Sequence, residues 1–317
     1  MTNLRILLTD VAWPDTNIEQ SLCANADCEL ILAPSTDEST LTELAKNADA
    51  IVTCWAEVTA GVIAATQGRC QVVSRLGIGL DNIDVSYCTQ HQIPVTNIPD
   101  YCLQEVAEHT LASIFTLGRQ LGTFHLRTKN NDYQRAVEPP IRRIQGQTLG
   151  IVGLGNIGQR VASLANAVGL NVIGTRRDMT QAIAGVRLTN FDELINISDF
   201  VSLHLPLTHD TQYMLGAPQF TAMKNSAFLI NTARGGLVDH ASLDAALKNK
   251  QIAGAALDVQ DPEPPDLTTP PYNDPRVIVT PHTAFISEES IIDLRSRCFE
   301  NTLSILSGAP GKYVVNL

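Results

Sequence analysis

"GIVGLGNIGQRVASLANAVGLNVIGTRRD", residues 150–178, decides the fold. Gly153, Gly155 and Gly158 keep the spacing G-x-G-x-x-G between an apolar run and a stretch whose apolar residues recur at helical spacing, and a second apolar run ends at Thr175. Strand, glycine turn, helix and strand in this order form a dinucleotide-binding unit. The first glycine permits the tight turn, the second lets backbone approach a pyrophosphate, and the third lets helix pack on strand, with phosphate at the helix N-terminus. Asn156 and Ile157 lie inside the same turn and join the glycines as cofactor-binding candidates. An acid that binds the adenine ribose is expected about 20 residues further on; Arg176 and Arg177 stand there instead, followed by Asp178.

The same rhythm runs outward in both directions. "TLGIVGLG", "NVIGTRRD", "FVSLHLP", "AFLINTA", "AGAALDV" and "VIVTPH" alternate with helical stretches, and an earlier series, "RILLTD", "CELILAP", "AIVTCW", "QVVSRLG" and "IPVTNIP", does likewise. Strands alternating with helices specify parallel, doubly wound sheets. The chain is therefore expected to be α/β with two such domains, a Rossmann cofactor domain (99–286) inserted in a flavodoxin-like substrate domain (1–98 and 287–317). Residues 103–122 read as one joining helix, followed by a polar, Pro-containing stretch to Gln147, and the segment from about Ser287 reads as a helix returning to the first domain.

At 317 residues, 44% hydrophobic and 17% charged, the chain has the composition of an ordinary globular protein. Its net charge of −11 opposes phosphate backbones and anionic lipid, so neither nucleic acid nor membrane is expected as a partner. Seven cysteines without a C-x-x-C spacing read as reduced core thiols, and no cleavable apolar leader follows Met1, which together point to the cytoplasm. No Cys and His combination has metal-ligand spacing, and neither Ser226 nor Ser242 sits in a nucleophile elbow.

Five stretches, "RLGIGLDNID" (75–84), "EVAEHTLASIFTLGR" (105–119), "GLGNIG" (153–158), "NTARGGLVD" (231–239) and "ALDVQDPEP" (256–264) with "TPHTA" (280–284), resemble in order and separation the D-isomer-specific 2-hydroxyacid dehydrogenases. The resemblance implies an enzyme transferring a hydride between a nicotinamide cofactor and a small 2-oxo acid or D-2-hydroxy acid, of glyoxylate/hydroxypyruvate reductase type. Arg234 matches the arginine that grips the substrate carboxylate, a task for a planar fork of donors. Glu263 and His282 match the acid–base pair, in which a carboxylate on one ring nitrogen supports the imidazolium and orients it. Asp258 matches the residue that helps place the nicotinamide, and Leu205, Pro206, Thr211, Thr232 and Ala233 match the loops beside the cofactor. Gly77, Ile78 and Gly79 would present backbone N–H groups to the substrate carboxylate, glycine allowing the close approach. Thr53 replaces an arginine usual in the phosphoglycerate-acting branch, and Trp55 is either a wall of an unphosphorylated-substrate pocket or a core residue. The family's dinucleotide-sensing co-repressors, protein-binding modules on the same fold, are the alternative function.

Two guanidinium groups in place of the ribose acid predict NADP in preference to NAD, since the acid would repel a 2'-phosphate and arginines pair with it. Asp178 would compete if the turn shifted. Of the other histidines, His91, His125, His209 and His240 read as solvated, His109 as packed under the joining helix, and His204 as a backbone neighbour of the cofactor. The resemblance further implies a homodimer formed through about 100–145.

Overall fold

The computed structural model describes residues 4–317, which divide into two compact units, one of residues 4–101 with Ser287–Leu317 and the other of Cys102–Ile286. In the first unit, β1 (Leu4–Leu8), β2 (Cys28–Leu32), β3 (Ala50–Thr53), β4 (Val73–Arg75) and β5 (Val95–Thr96) form a five-stranded sheet in the order β2-β1-β3-β4-β5. All its pairs are parallel. One face is closed by the helix Glu288–Leu306, whose Leu294, Cys298, Phe299 and Leu306 share a core with Ile6, Leu8 and Val52. Strand order reverses between β1 and β3, the place where a doubly wound sheet leaves a crevice at its carboxyl edge.

The second unit holds β6 (Thr148–Val152), β7 (Asn171–Thr175), β8 (Arg187–Leu188), β9 (Phe200–Leu203), β10 (Phe228–Asn231), β11 (Gly254–Leu257) and β12 (Val277–Val279). They pair in parallel in the order β12-β11-β10-β9-β6-β7-β8, reversing between β6 and β9. Both faces are covered, which is why the strands read as near-continuous apolar runs. On one face Ala107, Leu111, Ile114 and Leu117 of the helix Leu103–Gly118 share a core with Val161, Ala162 and Ala165 of the helix Asn156–Ala167. On the other face Leu194, Phe220, Leu243 and Leu247 close over Val201, Leu229 and Leu257.

The joining segment departs from the expected single helix. It ends at Gly118, and after Gln120, whose backbone is left-handed at φ 55°, a second helix runs from Leu121 to Lys129 through what reads as irregular polar chain. Gly118 explains the stop in part, since a Cβ there would stand 3.1 Å from the Phe200 ring and 3.2 Å from Ile144. The two-residue edge strand β8 has no counterpart in the apolar pattern. All seven cysteines are buried, and among the described residues no helix is long and apolar enough to cross a membrane.

Candidate active site

One line of register crosses the second sheet: Thr175 pairs with Val152, Val152 with Leu203, Leu203 with Asn231, Asn231 with Leu257, and Leu257 with Val279. The residues immediately after that line, Arg176, Gly153, His204, Thr232, Asp258 and Thr280, therefore emerge together on the carboxyl edge. Parallel strands of equal reach turn separate motifs of the sequence into one surface, at the edge where such sheets bind ligands.

At the switch point, Gly153 has φ 97°, and a Cβ there would overlap the His204 carbonyl, while one at Gly158 would overlap the Gly153 carbonyl. Gly155 differs: nothing lies within 4 Å of where its Cβ would stand. It is also the N-cap of the helix Asn156–Ala167 and supplies no capping side chain, so the first helical N–H groups, those of Asn156, Ile157 and Gly158, are not satisfied by a cap. An uncapped helix start beneath open space fits a dinucleotide pyrophosphate. Beyond β7, Arg176 is half-buried and Arg177 exposed. Asp178 is already engaged: its Oδ1 accepts from Thr180 Oγ1 at 2.6 Å and Thr180 N at 2.9 Å. These two hydrogen bonds, helped by the Arg176 charge, hold its carboxyl below the usual range.

After β9, His204 N continues the ladder to Val152 O at 2.8 Å and the ring lies 2.7 Å from Ser202 Oγ. Burial lowers its pKa to about 4, so it is neutral at neutral pH. Leu205 packs on the core below, and Thr211 braces the loop by donating from Oγ1 to Pro206 O at 2.8 Å and accepting from Thr208 N at 2.8 Å. After β10, the buried Asn231 accepts from Ala233 N at 3.1 Å and donates to Arg234 O at 2.8 Å, while Arg234 Nη1 donates to Ala233 O at 2.7 Å. Thr232 Oγ1 lies 3.4 Å from Thr110 Oγ1. Gly235 approaches Gln260 so closely that a Cβ would overlap its carbonyl, which sets the Arg234 turn against the 260–263 loop.

That loop and the one after β12 meet at the acid–base pair: His282 Nδ1 lies 3.0 Å from Glu263 Oε2, and Glu263 Oε1 accepts from Gln260 N at 2.8 Å. Burial raises the Glu263 pKa, but the His282 hydrogen bond and charge, the Gln260 amide and the Arg234 charge outweigh it and hold the carboxyl below its ordinary value. His282 has a left-handed backbone, φ 52°, uncommon for a non-glycine residue, and its N–H donates to Asp258 O at 2.8 Å. The Asp258 carboxylate is buried in the same turn. Oδ1 accepts from Thr280 Oγ1 at 2.6 Å and Thr283 N at 2.9 Å, and Oδ2 from Ala284 N at 2.9 Å. His109 stands beside it, Nε2 3.3 Å from Thr280 Oγ1.

In the first unit, Gly77, Ile78 and Gly79 follow β4 as a loop, with Gly77 at φ 153°. Trp55 is not core: it is 43% exposed, with the Arg75 guanidinium 5.5 Å from its ring centroid. Thr53 is buried and donates to Ala56 O at 2.7 Å. His240 corrects the reading of a solvated side chain, since it is half-buried and its Nδ1 lies 2.9 Å from Tyr272 Oη. Asn231, Gln260, Arg75 and Asp10 do structural work in these loops that sequence reading missed. The available signal was positional, an amide, arginine or acid at a strand's carboxyl end beside a motif. Among the described residues no group of three or more His, Cys, Asp or Glu is placed to hold a metal ion.

Residues 111–284 match the family described as D-isomer specific 2-hydroxyacid dehydrogenase, NAD binding domain. The chain is 33% identical over 284 residues to D-3-phosphoglycerate dehydrogenase of Archaeoglobus fulgidus, covering 88% of this chain and 53% of that protein. It is 33% identical over 282 residues to glyoxylate reductase of Korarchaeum cryptofilum, covering 86% and 84%. The chain spans about half the length of the D-3-phosphoglycerate dehydrogenases it matches. An acyclic imino acid reductase (Bsp5), solved in complex with NADPH and D-Arg, has the same fold at TM-score 0.88 and 28% identity, covering 98% of this chain and 100% of that one. The chain belongs to the D-isomer-specific 2-hydroxyacid dehydrogenase family, carrying its NAD(P)-binding domain.

Proposed function

We propose that the protein reversibly reduces a small, unphosphorylated 2-oxo acid of the glyoxylate or hydroxypyruvate class to the D-2-hydroxy acid, using NADP in preference to NAD. The observation that carries this reading is the Glu263–His282 pair at 3.0 Å, held on the same sheet edge as the glycine turn and the Arg234 turn. A bound nicotinamide supplies the hydride that reaches the carbonyl carbon. His282 gives the carbonyl oxygen its proton from Nε2, since Nδ1 is committed to Glu263, and returns to neutral imidazole. Glu263 stabilises the protonated ring, and its lowered pKa keeps it ionised through the neutral range. Arg234 pairs with the substrate carboxylate. Gly153, Gly155, Asn156, Ile157 and Gly158 hold pyrophosphate. Leu205, Pro206, Thr211, Thr232 and Ala233 line or brace the nicotinamide half, Asp258 acts beside it by anchoring the turn that carries His282, and Gly77, Ile78 and Gly79 with Trp55 receive the substrate.

Cofactor preference rests on Arg176 and Arg177, and the Asp178 turn supports it, because a carboxylate occupied by Thr180 is a poorer ribose acceptor. The buried Thr53 offers no cation to a substrate phosphate. Exposed Leu121, Leu126 and Tyr133 in the arm support the homodimer, which light scattering at micromolar concentration tests by a mass twice that of one chain.

The reaction is tested by following reduced nicotinamide with glyoxylate, hydroxypyruvate, pyruvate, 2-ketogluconate and branched 2-oxo acids. His282→Ala should lower kcat by about 10²–10⁴, and Arg234→Ala should also raise KM steeply. A charge-assisted bond to phosphate is worth about 1.5–3 kcal/mol, so NADPH should exceed NADH by about ten- to a hundredfold at equal concentration, and Arg176→Asp should reverse the order. Near-wild-type turnover by His282→Ala would refute the acid–base assignment. NADPH binding without turnover of any acid would favour the dinucleotide-sensing alternative.

A further inference from the structure

Arg75 ends β4 and is 7% exposed, yet the groups it bonds are all neutral. Nε donates to Gly79 O at 3.0 Å, Nη1 donates to Leu76 O, and the Trp55 ring covers the guanidinium. Among the described residues no carboxylate pairs with it. The acid on a nearby strand end, Asp10, is engaged by Cys54 N at 3.0 Å, Trp55 N at 2.7 Å and Thr9 Oγ1 at 2.7 Å. A buried cation without an anion is costly and calls for a compensating charge.

The loop after Arg75 is polarised in one direction. All four of its carbonyls are held by the protein: Leu76 O and Gly79 O by Arg75, Gly77 O by Ile98 N at 3.0 Å, and Ile78 O by Asn97 Nδ2 at 2.7 Å. Leu76 N is used as well, donating to Thr53 O at 2.8 Å. The N–H groups of Gly77, Ile78 and Gly79 have no acceptor among the described residues. The guanidinium lies flat against this backbone, since a Cβ at Gly77 would stand 2.9 Å from Nη1 and 3.2 Å from Nη2. Consecutive donors backed by a buried positive charge, with every local acceptor turned inward, make an anion-binding concavity.

We propose that Arg75 is a positioning residue: it holds the carbonyls of the 76–79 loop inward so that the Gly77, Ile78 and Gly79 amides bind a carboxylate, and its buried charge is neutralised when that carboxylate arrives. The proposal rests on the reading of the protein as a 2-oxo acid reductase and assigns this loop to the group that all 2-oxo acids share. Arg75 therefore sets the affinity for the whole class and leaves the choice among its members to other residues. Because a carboxylate is bound equally before and during reduction, loss of Arg75 raises KM and spares kcat.

The test compares Arg75→Gln, Arg75→Lys and Asn97→Ala with wild type, using glyoxylate, hydroxypyruvate and pyruvate as substrates and oxalate as a non-reacting probe binding the NADPH-loaded protein. Arg75→Gln should raise every KM and the oxalate Kd by one common factor of about 10- to 100-fold, with kcat and NADPH Kd unchanged. Arg75→Lys, which keeps the charge and one donor group, should restore part of the loss. Asn97→Ala frees the Ile78 carbonyl with Arg75 intact, and should raise the same constants even if Arg75→Gln does not fold. Unchanged KM and oxalate Kd in folded Arg75→Gln, an increase confined to one substrate, or a fall in kcat alone would overturn the proposal while leaving the reductase reading intact. A wild-type protein that neither reduces any of the three acids nor binds oxalate would remove that reading, and the proposal with it.

Discussion

Asp258→Asn separates two roles that one buried carboxylate could play. The side chain is 2% exposed and accepts from Thr280 Oγ1, Thr283 N and Ala284 N at 2.6–2.9 Å, so both oxygens already serve the turn that carries His282. Asparagine keeps one acceptor and turns the other into a donor facing an N–H. The turn then loses about 1.5–3 kcal/mol for a charge-assisted bond and a further 1–3 kcal/mol or so for an amide left without a partner. His282 is the residue that feels this, because its left-handed backbone costs about 1–2 kcal/mol and is held by its N–H bond to Asp258 O. If about 2.7 kcal/mol of the loss falls on the reactive geometry, kcat drops by about 10². The assay is steady-state kcat with the best 2-oxo acid, alongside NADPH affinity from fluorescence titration. We expect kcat to fall by that factor and NADPH Kd to stay within about threefold. A tenfold or greater weakening of NADPH with kcat retained would refute the reasoning and make Asp258 a cofactor contact instead of an anchor for the catalytic turn.

Two further outcomes follow from the same sheet edge. His204 is neutral when folded, its pKa lowered to about 4, whereas an unfolded histidine takes its proton near 6.5. Its contribution is therefore full above about pH 6.5 and is lost, by about 3 kcal/mol, as pH falls toward 4. Urea midpoints should accordingly fall less steeply with acidification in His204→Gln than in wild type, and parallel curves would contradict the assignment. Gly235→Ala drives a Cβ into the Gln260 carbonyl and should cost about 1–3 kcal/mol. Melting temperature should drop by roughly 2–4 °C per kcal/mol, and turnover should fall with it, because the same contact sets the Arg234 turn against the Glu263 loop. A variant with unchanged melting and turnover would show that the loops yield freely.

What the chain discloses in advance depends on how local the physical cause is. Gly153, Gly155 and Gly158 are legible because a positive φ, an open approach and a helix–strand contact each exclude side chains at fixed offsets from a strand. The two sheets are legible because strands covered on both faces tolerate little but apolar residues. Arg234, Glu263 and His282 are legible only through resemblance, since each taken alone is an ordinary surface residue. The break falls on Gln120, a left-handed residue that is not glycine, and Gly118 two residues before it owes its place to Phe200, some 80 residues away along the chain. The engagement of Asp178 by Thr180 is local and could have been read as an Asx turn, which would have removed the competitor of Arg176 at the outset. Arg75 is the opposite case. It opens a motif quoted for its glycines, but its meaning lies in Ile98 and Asn97 taking the remaining carbonyls from the next strand end. Residues that need special backbone mark themselves; residues that orient another residue's backbone do not, until the strands have set them side by side. The fold can thus be read from periodicity and glycine spacing, whereas the parts of the site that aim its donors had to be found in three dimensions.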